Sequence, residues 1–418
     1  MAMRITGRSA VACIFVASAL VMSAGCDEAD PELTLEVTLE EESARVDLSE
    51  FELAEAEEII GEMVYDEDLD DFVAKSDYDS ISFFDYIYGK FLYEQETFEG
   101  NGRTCITCHT RKSGKISPSQ IEALWAEHPN APIFRSIDSD DGVGDSFDRL
   151  RAHATIRVGI TLPDSVWLVD DPEQETVVFN RGIPSTLDTP SLDPVLMYDG
   201  RQPSLESQAH GAMHDHAQID REPTDLELMR IAKFEQTFSF FSSIWTFIYA
   251  KGGPAPHLPK GKTLAEKRGR KWFVPSPEGL CSHCHGGPML NEINEFFLGP
   301  LDPGTRFISA AVSEFNRPGN PIYSFAFDNP NDPDNPIIVD SADPGRALIT
   351  GDPADVNAFK IPSLLGLGRR GGPYFHDSSA KTLEDVTDHY ADYFALPPAN
   401  LTLSEQDKGD ITAFMKLL

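Results

Sequence analysis

The sequence predicts a mainly α protein of two related halves packed against each other, with long irregular loops. Three observations carry that expectation. A Cys-x-x-Cys-His segment occurs twice, at Cys105-Ile106-Thr107-Cys108-His109 and at Cys281-Ser282-His283-Cys284-His285. Each copy follows a helical stretch and then a polar or proline-bearing loop. The other long stretches alternate between helical periodicity and runs rich in Pro, Gly and Asn, so few strands are expected.

Taken in order, Arg4 and Arg8 precede an apolar run from Ala10 to Met22. It is too short to span a bilayer comfortably, and residues 1–25 read as an export signal. Ser23-Ala24-Gly25-Cys26 resembles a bacterial lipoprotein processing site, at which Cys26 would become the lipidated first residue. Ordinary cleavage near Ala24 is the alternative. Residues 26–81 are rich in Asp and Glu and read as an acidic tether, with one helix around Leu53–Val64. The folded part is expected from residue 82, where Phe83–Leu92 carries aromatics at helical core spacing. A polar turn, Glu99-Gly100-Asn101-Gly102, leads to the first Cys-x-x-Cys-His. Residues 220–250 join the halves, and Leu226–Tyr249 reads as one helical core stretch. A Gly/Pro loop over 251–262 follows. Thr263–Phe273 then reads as a helix whose Gly269-Arg270-Lys271-Trp272-Phe273 echoes Gly89-Lys90-Phe91-Leu92, an internal duplication. Asn316–Asp343 reads as a long irregular loop. Ser404–Leu418 reads as an amphipathic helix capped by Ser404, with Asp407 three residues on. The halves are drawn at 82–222 and 223–418.

Two thiols two residues apart can add to the two vinyl groups of one porphyrin, and the histidine that follows can bind its iron. Each segment therefore reads as a covalent c-type haem site. Two copies imply two covalently attached haem c groups in two cytochrome c-like domains. A single zinc site of four thiolates would leave both adjacent histidines unexplained. The chain has 6 cysteines. Four belong to these segments, Cys13 lies in the apolar run and Cys26 follows it, so none remains for a structural disulfide. Lys+Arg is 34 against Asp+Glu 69, a net charge of −35, which argues against nucleic acid as a partner.

Further segments accompany the haem pair. They are Tyr198-Asp199-Gly200-Arg201, Ser204-Leu205-Glu206-Ser207-Gln208-Ala209, Phe359-Lys360-Ile361-Pro362-Ser363-Leu364, Pro373-Tyr374-Phe375-His376-Asp377 and Thr382-Leu383-Glu384-Asp385-Val386. From about residue 82 to the C-terminus this set resembles the bacterial di-haem cytochrome c peroxidase and MauG superfamily. The resemblance implies that hydrogen peroxide reacts at the N-terminal haem and that the C-terminal haem stores or relays electrons. Cys105, Cys108, Cys281 and Cys284 would attach the haems, and His109 and His285 would bind the irons. Tyr198 stands where the family usually has a tryptophan between the haems. Gln208 matches the family's distal glutamine. The distal glutamate is replaced by Gln218, an amide that cannot shuttle a proton. His210, His214, Asp215 and His216 crowd the same segment. One of its histidines, with His214 and His216 the candidates, is expected to replace the missing acid or to ligate the iron. Tyr390 stands where MauG-like proteins place an axial tyrosine and peroxidases a methionine, with His389 the alternative ligand. That favours the MauG-like subgroup. Backbone carbonyls of Gly371 and Pro373 match ligands of a calcium ion, and Asn180 would substitute for a missing asparagine ligand.

The expected function is that of an exported di-haem oxidoreductase in the periplasm or cell envelope, held at a membrane through lipidated Cys26. It would reduce hydrogen peroxide, or use it to oxidise a protein or organic substrate. Its electrons would come from a small redox protein or from that substrate. A non-catalytic di-haem electron carrier and a dioxygen-dependent haem oxygenase are the competing readings.

Overall fold

The computed structural model describes residues 83–418, apart from positions 298 and 398. The expected export signal, Cys26, the acidic tether and its helix lie outside these residues. Among the described residues, helices of seven residues or more are α1 (Phe83–Glu94), α2 (Pro118–Glu127), α3 (Leu205–Ala212), α4 (Asp225–Glu235), α5 (Ile244–Ala250), α6 (Leu264–Arg270), α7 (Leu383–Ala395) and α8 (Glu405–Met415). None is long and apolar enough to cross a membrane.

The duplicated glycines explain how each half is built. α1 packs on α4, and α6 packs on α8. A Cβ on Gly89 would lie 2.4 Å from the Arg230 carbonyl oxygen, and one on Gly269 would lie 1.9 Å from that of Asp410. Each helix ahead of a Cys-x-x-Cys-His segment thus has a glycine at the point where a later helix crosses it. An arginine–aspartate pair ties each crossing, Arg230–Asp85 at 2.8 Å and Arg268–Asp410 at 2.6 Å. The core around α1 and α4 includes Leu92, Met213, Ile231, Phe234 and Phe240, so it continues past residue 222. The core around α7 and α8 gathers Phe273, Leu383, Val386, Ile411 and Phe414.

Local signals placed the helix ends well. Ser404 Oγ accepts from Asp407 N at 3.1 Å while Asp407 Oδ2 accepts from Ser404 N at 3.0 Å, a reciprocal cap. The single helix expected over Leu226–Tyr249 is instead broken between α4 and α5. Thr237 Oγ1 donates to the Phe234 carbonyl at 2.7 Å, and Asp188 Oδ1 accepts from Ser242 N at 2.8 Å. Side-chain hydroxyls and a distant carboxylate thus take over the backbone there.

The strands among the described residues are short. β1 (Thr155–Thr161) pairs antiparallel with β3 (Thr176–Gly182). β2 (Val166–Leu168), β5 (Tyr323–Phe327) and β6 (Ile337–Ser341) form a three-stranded antiparallel sheet in the order β2-β5-β6. β4 (Phe307–Ile308) pairs with β7 (Phe359–Lys360). Val158, Ile160, Phe179, Phe325 and Phe327 bury a β core of their own. The supposed loop over 316–343 therefore contains a hairpin. The Pro, Asn and Asp residues at 328–336 are its turn, and they mask the two short apolar strands on either side.

Candidate functional site

Each Cys-x-x-Cys-His segment folds as one helical turn, Cys105–Cys108 and Leu280–Cys284. The histidine after each turn is held the same way. His109 Nδ1 donates to the Gly114 carbonyl at 2.9 Å, and His285 Nδ1 to that of Leu290 at 2.8 Å, five residues on in both cases. A carbonyl can only accept, so Nδ1 carries the proton and Nε2 keeps its lone pair. Burial lowers the pKa of His109, and pushes that of His285 down to about 4. Both rings are therefore neutral, as an iron ligand must be.

One cavity of about 390 Å³ reaches both segments. It is lined by Cys105, Cys108 and His109 at one side and by Cys281, Cys284 and His285 at the other. All four thiols are free. Burial pushes the pKa of Cys108 up to about 11 and those of Cys281 and Cys284 up to about 12. Ile183-Pro184-Ser185 lines the first end and Ile361-Pro362-Ser363 the second. This repeated tripeptide is a second trace of the duplication. Sequence reading passed over it, because only Ile361-Pro362-Ser363 stood out.

These residues fit haem. The thiols and the two neutral imidazoles meet one apolar cavity, and His216 Nδ1 and Glu235 Oε2 at its wall find no partner among the described residues.

Of the expected site residues, Tyr198, Gln208, His216 and Tyr390 line the cavity. Tyr198 stands edge-on to His376 with ring centroids 6.4 Å apart, and His376 stacks on Phe359 at 3.6 Å. Burial, and then Asp377, raises the Tyr198 pKa well above the usual phenol value. Burial first, then the neighbouring thiols, does the same to Tyr390. His389, the alternative ligand, is placed differently. It does not line the cavity, and its Nε2 lies 2.8 Å from the Ala310 carbonyl.

His214 and Gln218 are not part of the cavity wall. Met213–Ala217 continues α3 as a wide π turn. It turns Met213 and His216 inward and leaves His214 40% exposed. Gln218 takes a positive φ of 50° and is exposed, its Oε1 accepting from Asn101 Nδ2 at 3.0 Å. The histidine cluster therefore does not face the cavity as a unit. Burial lowers the pKa of His216, the histidine of the group that lines the cavity.

Sequence reading missed Glu235 and Lys115. Glu235 closes α4, lines the cavity and has its pKa pushed up to about 8, first by burial and then by Glu206. The available signal was its place four residues after Ile231 on an apolar stripe. Lys115 Nζ donates to the Pro373 carbonyl. Burial, and then Arg370, lowers its pKa to about 7. That carbonyl is one of the two expected to bind calcium. Asn180 Nδ2 donates to Asn320 Oδ1 at 3.3 Å, and its own Oδ1 is the atom a calcium ion would use. In its charged form, the Lys115 amine on the Pro373 carbonyl does not fit a calcium ion beside it.

No family model matches the chain. A cytochrome-c peroxidase from Denitromonas iodatirespirans is 28% identical over 164 residues, which is 38% of this chain and 41% of that protein. The match thus spans about two fifths of the curated relative. Among solved structures, a MauG-like protein associated with microbial copper homeostasis is 18% identical. The alignment covers 81% of this chain and 90% of that one, with a TM-score of 0.45. The diheme peroxidase BthA from Burkholderia thailandensis is 15% identical, covering 80% and 86%, with a TM-score of 0.41. Over part of its length, the chain is thus similar to a cytochrome-c peroxidase.

Proposed function

We propose that the protein is an exported di-haem c-type oxidoreductase that reduces hydrogen peroxide, or uses it to oxidise a protein or organic substrate. One observation carries the reading. Both Cys-x-x-Cys-His turns line a single cavity, each with its histidine Nδ1 bonded to a backbone carbonyl five residues on.

Cys105 and Cys108 would hold one haem and Cys281 and Cys284 the other through thioethers, with His109 and His285 as proximal ligands. When bound, haem supplies the iron at which peroxide is reduced and the centre that stores electrons. Reducing one peroxide to two waters takes two electrons and two protons, and the electrons come from a small redox protein or from the substrate. Gln208 orients the peroxide by hydrogen bonding but cannot carry its proton. His216, kept neutral by burial, accepts a proton at a ring nitrogen and returns it, the task of a general acid–base group. Tyr198, with His376 and Phe359 on the same cavity wall, would offer an aromatic path for electrons between the haems. Burial keeps the Tyr390 hydroxyl protonated, and Tyr390 would give up that proton on binding the second iron as tyrosinate.

The deciding experiment is a spectroscopic peroxide titration of the full chain made in a host that attaches haem, preceded by its mass. Two added porphyrins and a high-spin ferric centre that peroxide converts are expected. Two unreactive low-spin centres would instead support the electron carrier, with His216 as the closing ligand, and stable dioxygen binding the oxygenase. Export to the periplasm or cell envelope and lipidation of Cys26 belong to the same proposal. A mature N-terminus at residue 26 bearing acyl mass would support them.

A further inference from the structure

On the outer side of the segment that carries His216 inward, three side chains converge. His210 lies on α3, and His214 lies four residues on, in the π turn. Glu222 reaches them from the following loop. His210 Nε2 and His214 Nε2 are 3.3 Å apart, and each lies 3.2 Å from Glu222 Oε2. The donor atoms form a nearly equilateral triangle.

We propose that His210, His214 and Glu222 bind one divalent transition-metal ion of the zinc class.

Zinc bonds to imidazole nitrogen and carboxylate oxygen at about 2.0–2.1 Å, and a regular tetrahedron with such bonds has edges of about 3.3–3.4 Å. The three observed separations match one face of it. Two imidazole nitrogens and one carboxylate oxygen suit a borderline cation. Calcium takes six to eight oxygen ligands at longer bonds, which this set does not offer. The side chains are 45%, 40% and 65% exposed, so the fourth position opens to solvent and a water completes the site. Two imidazole nitrogens facing each other at 3.3 Å otherwise need a proton between them, and a metal ion removes that conflict.

The site also does something to the fold. Bridging residues 210, 214 and 222 staples the π turn on which Met213 and His216 sit against the cavity. The metal would therefore hold the wall of the haem cavity from behind without touching it.

The test is zinc binding to the haem-loaded full chain by calorimetry, with magnesium in excess to occupy the acidic surface. X-ray absorption at the zinc edge is then recorded on the 1:1 complex. Wild type is expected to take up one zinc, with scattering from two imidazoles at 2.0–2.1 Å. His210→Ala and Glu222→Gln should each weaken binding at least tenfold. His257→Ala, at an exposed histidine elsewhere, should bind as wild type does. Equal affinity in wild type and both site variants would overturn the proposal, as would a spectrum without histidine scattering. Both site variants alter exposed side chains, and unchanged haem spectra confirm that they fold.

Discussion

Arg181 grips Asp343 with two parallel hydrogen bonds, Nε to Oδ2 at 2.7 Å and Nη2 to Oδ1 at 2.8 Å. Its third donor, Nη1, reaches Asp199. All three residues are buried. Asp199 belongs to the Tyr198-Asp199-Gly200-Arg201 segment, so this cluster fixes the backbone that carries Tyr198 and joins it to the β6 end of the hairpin. Replacing the arginine leaves two buried carboxylates unpaired. Arg181→Met should therefore cost about 3–5 kcal/mol, read as a lower midpoint in urea unfolding. A loss below about 1 kcal/mol would show that the carboxylates find other partners or take up protons cheaply.

Tyr390 and His389 are neighbours in sequence, but α7 sends only Tyr390 to the cavity. A tyrosinate is a hard anionic ligand that favours the ferric state. Tyr390→Phe should remove the low-spin signal of the second haem and raise its potential, while His389→Gln should leave the spectrum as it was. The reverse pattern would make the histidine the ligand.

What could be read in the sequence was fixed by short-range geometry. Each Cys-x-x-Cys-His segment is one helical turn and its following loop, and Ser404 and Asp407 cap a helix within one turn. The misses have physical reasons too. Lys115 and Pro373 are 258 residues apart, and no local pattern reports such a contact. The partners of β1 and β5 are chosen by burial against each other, not by propensity alone. His214 and His216 were read as alternatives for one task. Yet residues two apart on a helix do not share a face, and the π turn keeps one outside and the other in.

Lys115 gives the calcium question a direct answer. Its amine already satisfies the Pro373 carbonyl, and in its charged form it would repel a divalent cation there. Chelating divalent ions from the haem-loaded protein with a calcium-selective reagent should leave its Tm within about 1 °C. A fall of several degrees, restored by added calcium, would mean that Lys115 moves aside to admit the ion.

Glu235 makes a prediction about pH. Its carboxyl titrates near 8 in the folded protein and near 4.3 in an unfolded chain. Between those values the folded state holds a proton that the unfolded state has lost. The Glu235 contribution to stability therefore falls as pH rises through this window, and its cost is fully present above about 8. Glu235→Gln keeps the shape and removes the titration. At pH 4 variant and wild type should melt together. By pH 9 the variant should melt higher by several degrees, on the order of a few kcal/mol. Parallel melting curves across that range would mean that the carboxyl is ionised and paired when the haem is in place, and that it has no part in moving protons near the first haem.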